Sequence, residues 1–430
     1  MRRLAALLGL AAALTVAAPA HAGRWTDPQV LGPPDIAFGP EVDMNARGDA
    51  IVAWTTEERT WVALALRGRD FSTPVALTGA PGHGGSVRVS IDERRNAAVG
   101  WTYDDRTFVA EPELREDDCC VRLAAAVKPA GRSTFGRART VSRANTQVID
   151  AQVAAGPGGG GFLWTTSDIG FPEIVVAAFG GAGGLVRGSH TLGRAGDDYY
   201  EGVSLVMRRD GSASIVAGVS AGVIRERVRR RSGAFGRWRT IVRDDGLRFA
   251  ARWADAAGRE FMTGTYDHRG YRWSTRAPGG RFSRFRSFPR RGGGAIDVAP
   301  DGRVLSVSTV GGFNSRPSVY ASARRPGRSF STPRRVAGAV GDRHDFVNTT
   351  AALGNRGRGM AVWDVSPDEL GPLKVFARPV RGGVPTGSTR QLQLNPGDPA
   401  YSPSAAASAS GLTTVVWVEK GRIVAARYVP

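Results

Sequence analysis

Four short runs in this 430-residue chain set carboxylates beside aromatic rings: "GDDYYEG" (196–202), "RDDGLRF" (243–249), "GDRHDF" (341–346) and "GDPAYS" (397–402). They put Asp197, Asp198, Tyr199, Tyr200, Asp244, Asp245, Asp342, His344 and Asp398 at comparable points of a repeated unit, and "YDHRG" adds Tyr266, Asp267 and His268. Flat rings with hydrogen-bonding carboxylates suit sugars or cationic groups, and concave sites of this kind are where ligands bind. The plainer reading is that each Asp only turns the chain, because Asp bonds its own backbone and tolerates tight loops.

A second set is cationic. "ERRN", "RVRRRSGAFGR" and "ARRPGRS" supply Arg94, Arg95, Arg227, Arg229, Arg230, Arg231, Arg324, Arg325 and Arg328. The formal net charge is +19, and arginine carries it, since Lys128, Lys374 and Lys420 are the only lysines. Such an excess attracts anionic partners such as a wall polymer, a polysaccharide, a lipid headgroup or a nucleic acid. A GC-rich coding bias explains Arg over Lys, but not the excess over acids.

Other chemistry is poorly supported. His83, His190, His268 and His344 show no H-x-x-H or H-E-x-x-H spacing, so a zinc site is not expected. No G-x-S-x-G, Walker or dinucleotide fingerprint stands in a strand-turn-helix context, and the runs "GGGG" and "GGAGG" read as turn material. No cofactor is expected; Ca2+ on the acidic loops stays open, although no D-x-D-x-D-G run exists. Cys119 and Cys120 are adjacent, and alpha carbons about 3.8 Å apart fall below the usual disulfide range, so a vicinal bond there would be strained and cannot staple the fold. They close "EPELREDDCC" (111–120), which reads as an exposed acidic insertion.

Residues 1–22 read as a secretory leader: Arg2 and Arg3, an apolar stretch, and Ala20-His21-Ala22 as the cleavage site. Without Arg2 and Arg3 the charge falls from +19 to +17. No later segment has the roughly 20 apolar residues of a membrane helix. An exported chain beginning near Gly23 is expected.

The elements that position these residues follow from a repeat. "ARGDAIVAW" (46–54) returns as "RNAAVGW" (95–101), "GGGGFLW" (158–164), "GRGMAVW" (357–363) and "GLTTVVW" (411–417). With Gly48 as marker, equivalents fall at Arg95, Gly158, Gly211, Gly258, Gly302, Gly357 and Gly411, which makes eight units. Each holds four strand-like pieces, a to d, separated by Gly, Asp and Arg turns. Pro74 and Pro333 mark strand d as an outer edge, while small residues in "SAAASAS" suit strand a at a crowded axis. The eighth unit lacks strand d, and "RWTDPQVL" (Arg24 to Leu31) matches "DFSTPVAL", so the N-terminal piece should close the ring. About 51 residues per unit fits an all-β, eight-bladed propeller of four-stranded blades over residues 23–430, with seven blades or a β-sandwich as competitors.

Turns a to b and c to d must then emerge on one face, which is basic, and turns b to c and d to a on the other, which is acidic and aromatic. The recurring tryptophans should fill the gaps between blades. Ala217, Gly264 and Ser308 replace three of them in succession and should leave room on one side of the ring.

The blades resemble those of secreted bacterial β-propellers of the sialidase and Asp-box group, which includes glycan hydrolases and non-catalytic binders. The S-x-D-x-G-x-T-W box and the F-R-I-P start are absent, so sialidase activity does not carry over. The docking motif of eight-bladed quinone dehydrogenases is missing as well. The expectation is an exported, non-catalytic propeller holding an extracellular glycan or peptide at the acidic mouth, with the arginine face on an anionic cell-surface polymer. It is expected to be a monomer with no specific nucleic acid. Two alternatives stand: a glycosidase with mouth carboxylates about 5–5.5 or 6.5–9.5 Å apart, and a protein interaction scaffold.

Overall fold

The computed structural model describes residues 23–32, 38–80, 84–104, 121–143, 146–157, 159–167, 174–181, 183–194, 199–220, 222–266, 270–289, 294–311, 317–338, 348–365 and 372–430. The Cys119 and Cys120 pair and its insertion lie outside them.

Eight antiparallel sheets form a ring, each running a, b, c, d from the axis outward. Blade 1 is Phe38–Met44, Ala50–Thr55, Thr60–Ala65 and Val75–Ala76. Blades 2 to 7 open with inner strands Gly84–Ile91, Gln147–Gly156, Tyr200–Met207, Leu247–Ala254, Ala295–Val298 and Asn348–Leu353. Blade 8 is Ala400–Ala407, Thr413–Glu419 and Arg422–Val429, completed by Arg24–Trp25 and Gln29–Val30. The ring has eight blades, not seven. Among the described residues the only helix is a single 3-10 turn, Asn355–Gly357.

The b strands explain the repeated phrase. All six residues of Ala50–Thr55 are buried, because a blade has a neighbour on each side and alternation only decides which neighbour a side chain meets. Val52 and Trp54 pack toward blade 8, whereas Ile51 and Ala53 pack toward blade 2. Trp54, Trp101, Trp164, Trp363 and Trp417 are each no more than 1% exposed. Each wedges against the preceding blade, as the core reading requires.

Backbone conformation explains the marker. Gly48, Gly211, Gly258, Gly302, Gly357 and Gly411 all have φ between +75° and +96°, the left-handed region that glycine enters at least cost. Arg95 holds the same conformation at φ +68° despite its Cβ. Its Nε donates to the buried carboxylate of Asp49 at 2.9 Å, tying the turn of blade 2 to that of blade 1.

The seam closes as the termini suggested. Arg24 and Trp25 pair with Val429 and Tyr428, and Gln29 and Val30 pair with Ala425 and Val424. Gln29 then bridges to blade 1, its amide donating to Phe71 O at 3.0 Å while its Oε1 accepts from Phe71 N at 2.9 Å. No open strand edge remains between the last blade and the first.

The room expected beside Ala217, Gly264 and Ser308 is filled. Ala217 is fully buried in a cluster with Tyr200, to which Trp238 also packs. A Cβ on Gly264 would stand 2.6 Å from Leu247 Cδ1. In blade 5, Phe261 and Trp273 form an aromatic cluster with Phe288 that Phe330 joins from blade 6. Bulk withdrawn from strand b has been replaced from strands a, c and d.

Between blades 4 and 5 part of the wedge is ionic. Burial pushes Glu226 upward, but hydrogen bonds from Arg276 and Ser214 outweigh it and hold its carboxyl at about 2. Arg276 bridges Glu226 and Glu260, both at 2.6 Å, and the fully enclosed Arg252 donates to Ser214 Oγ at 2.8 Å and Glu260 at 3.2 Å.

Candidate functional site

Strand direction puts Tyr199, Asp244, Asp245, Tyr266 and Asp398 at one end of the ring, after strand d or at the outer end of strand b. Asp197, Asp198, Asp267, His268, Asp342 and His344 lie outside the described residues. Asp244 makes the turn into blade 5, its N–H donating to Gly222 O at 3.0 Å, and Asp245 beside it is exposed. Tyr266 is half-buried, and the Arg272 guanidinium stacks 5.0 Å from its ring centre. Asp398 is held below the usual carboxylate range by its hydrogen bond from Lys420, 2.7 Å away. Tyr200 does not belong with them: it is 3% exposed and packed among Val203, Ala217 and Leu192. Its place in strand a points the ring into the gap that Ala217 would otherwise leave. Among the described residues no three His, Cys, Asp or Glu side chains come together as a metal site.

The opposite end carries the arginines, which fall into four groups. Arg95 serves Asp49, and Arg227 is spent on the carbonyls of Gly236 and Leu192 at 2.8 and 2.6 Å. Arg230, Arg325 and Arg328 are exposed turn residues. Arg324 is buried over the Trp273 ring at 4.7 Å, and burial, with Arg286 and Arg259 nearby, brings its guanidinium down to about 10. It lines a cavity of about 180 Å³ between blades 5 and 6, with Asp255, Arg259, Glu260 and Arg276. There each carboxylate already has a guanidinium partner.

The fourth group is different. Arg94, Arg229 and Arg231 converge with Arg187 and Arg209 on a cavity of about 440 Å³ over the junction of blades 3 and 4. The a to b turns of blades 2, 3 and 4 and the c to d turns of blades 3 and 4 all reach it. Arg229 lies over the Phe179 ring at 4.1 Å, and burial together with the charge of Arg187 lowers its pKa. The one carboxylate in the lining, Asp210, accepts from Ser212 Oγ at 2.6 Å and Ser212 N at 2.8 Å, which keeps it ionised.

Sequence reasoning missed Arg187, Arg209 and the floor. Gly159–Gly161, read as turn material, begin strand b of blade 3. A Cβ on Gly160 would stand 2.6 Å from Ala98 Cβ, so glycine there lets the blades approach closely beneath the cavity. The repeat itself held the signal, since Gly160 and Gly161 occupy the positions of Ala50 and Ile51.

A further set of carboxylates lines the inner strands. Asp43 accepts from Ile91 N of blade 2 at 2.8 Å, and Asp297 from Leu353 N of blade 7 at 2.6 Å. Burial raises Asp43, Asp150 and Glu41, and it pushes Asp297 up to about 6 with help from the charge of Asp43.

No family model matches the chain, and no curated protein does. Among solved structures it is similar to a lectin from Burkholderia pseudomallei at 10% identity and a TM-score of 0.51, covering 83% of this chain and 99% of that one. The Dos1 propeller matches at 7% identity and a TM-score of 0.54 over 95% of each chain. NanB sialidase from Streptococcus pneumoniae gives 8% identity and a TM-score of 0.42, over 89% of this chain and 83% of that one. At such identities the likeness is one of fold: the chain is a β-propeller.

Proposed function

We propose that the protein is an exported binding propeller whose arginine-bearing end holds an anionic extracellular polymer, in the first place a glycan. The fold alone decides nothing, because propellers carry unrelated activities. The observation that carries the reading is the balance of charge around the larger cavity, where five arginines face a single carboxylate. The carboxylates of both cavities are engaged by arginines or by a serine, which favours binding over acid-base hydrolysis.

A second site at the mouth, for a neutral or cationic glycan or a peptide, is favoured by the gathering of Tyr199, Asp244, Asp245 and Tyr266 at one end. One experiment addresses both. The protein from Gly23 onward is applied to an array of acidic and neutral glycans at rising salt, beside a Tyr199→Ala, Asp244→Ala, Asp245→Ala variant. Retention on acidic glycans that falls steeply with ionic strength is expected for the arginine end, and a loss confined to neutral glycans in the variant is expected for the mouth. Salt-insensitive retention would remove the first reading, and an unchanged variant the second.

A further inference from the structure

The five guanidiniums of the larger cavity stand in contrast to the paired arginines of the same end. Arg95, Arg259 and Arg303 are each neutralised by an aspartate, and Arg252 and Arg276 by two glutamates. Among the described residues Arg94, Arg187, Arg209, Arg229 and Arg231 form no ion pair, and Asp210 is turned to Ser212. Charges of one sign brought together without a partner repel, and the repulsion is felt most where water is partly excluded. Arg229 meets that condition, being half-buried and fixed on Phe179. An anion entering between these groups replaces repulsion with charge-assisted hydrogen bonds, which arginine forms in pairs with carboxylate, sulfate or phosphate.

Size and origin restrict the ligand further. A cavity of about 440 Å³ lies in the range that encloses a small molecule. Its walls come from turns of three blades, so the pocket is concave and discrete within a basic surface.

We propose that this cavity is a receptor for one acidic sugar unit, carboxylated or sulfated, of the polymer held by the arginine end; the inference rests on the reading of that end as anion-binding. The guanidiniums of Arg187 and Arg229 grip the anionic group, while Arg94, Arg209 and Arg231 ring the entrance.

The test uses titration calorimetry on the chain from Gly23 onward with three tetrasaccharides: a sulfated heparin fragment, its unsulfated glucuronate-bearing counterpart, and maltotetraose. Two variants with equal loss of charge are compared, Arg187→Gln with Arg229→Gln, and Arg325→Gln with Arg328→Gln. Thermal melting confirms that both are folded. Binding of an acidic fragment should weaken about tenfold or more in the first variant, which removes the half-buried Arg229, and less than about threefold in the second, which removes exposed charges alone. That difference between the variants, seen with only the sulfated or only the glucuronate fragment, upholds the site and names its anion. Equal losses in the two variants overturn the cavity but leave the basic end intact. Maltotetraose binding as tightly as the acidic fragments overturns both.

Discussion

Asp297 is half-buried on an inner strand, within reach of the charge of Asp43 on another. Its carboxyl is raised from 3.8 to about 6, so the folded protein holds this proton more tightly than the unfolded chain does. The stabilisation is complete below about pH 4 and is lost as pH rises through about 6. Between those limits the wild type should lose up to about 3 kcal/mol relative to Asp297→Asn, less in proportion to the solvent that reaches the half-buried carboxyl. Urea unfolding at pH 4 and pH 6.5 measures this, and parallel profiles for the two proteins would contradict it. Nothing in the local sequence marks Asp297 as different from the turn-forming aspartates. What changes it is burial among the inner strands, to which the charge of Asp43 from another blade adds while the Leu353 N–H pulls the other way, and a linear reading contains none of this.

Strands were legible where each carries its own signal. The tryptophan at the end of strand b and the glycine before it are local devices, so both kept their expected places, even at Arg95, where an ion pair substitutes for missing glycine. Compensation between strands was not legible. Ala217 reads as a vacancy only until Tyr200 and Trp238 are seen beside it. Ala217→Trp should therefore overpack the junction of blades 3 and 4 and destabilise by about 1 to 3 kcal/mol, whereas Trp417→Ala should leave a cavity and lose about 3 to 5 kcal/mol. Denaturant midpoints compare the two, and a stabilised Ala217→Trp would show that the gap is open after all. The cavity of arginines was hidden for a related reason. Its walls belong to three units, and the glycines of its floor look like turn residues until strand b is seen to begin at Gly159.

At the scale of the whole ring, closure depends on a few residues. Without residues 23–32 the strand Arg422–Val429 presents a free edge, and such edges pair with other chains. A variant beginning at residue 33 should associate more strongly with rising concentration than the protein from Gly23 and should unfold at lower denaturant; light scattering and unfolding curves that match the longer form would contradict this. The period, the number of blades and the partner of the N-terminal piece were all readable, because a ring repeats one local pattern and betrays its join by an incomplete unit. The hydrogen bond of Arg427 N to Thr26 Oγ1 spans 401 positions of the chain. Contacts so distant form slowly, since the entropy of drawing the ends together must be overcome before they help. Docking of residues 24–30 on Arg422–Val429 is then expected to be the slow step of folding, a clasp that fastens a ring whose blades are already laid down.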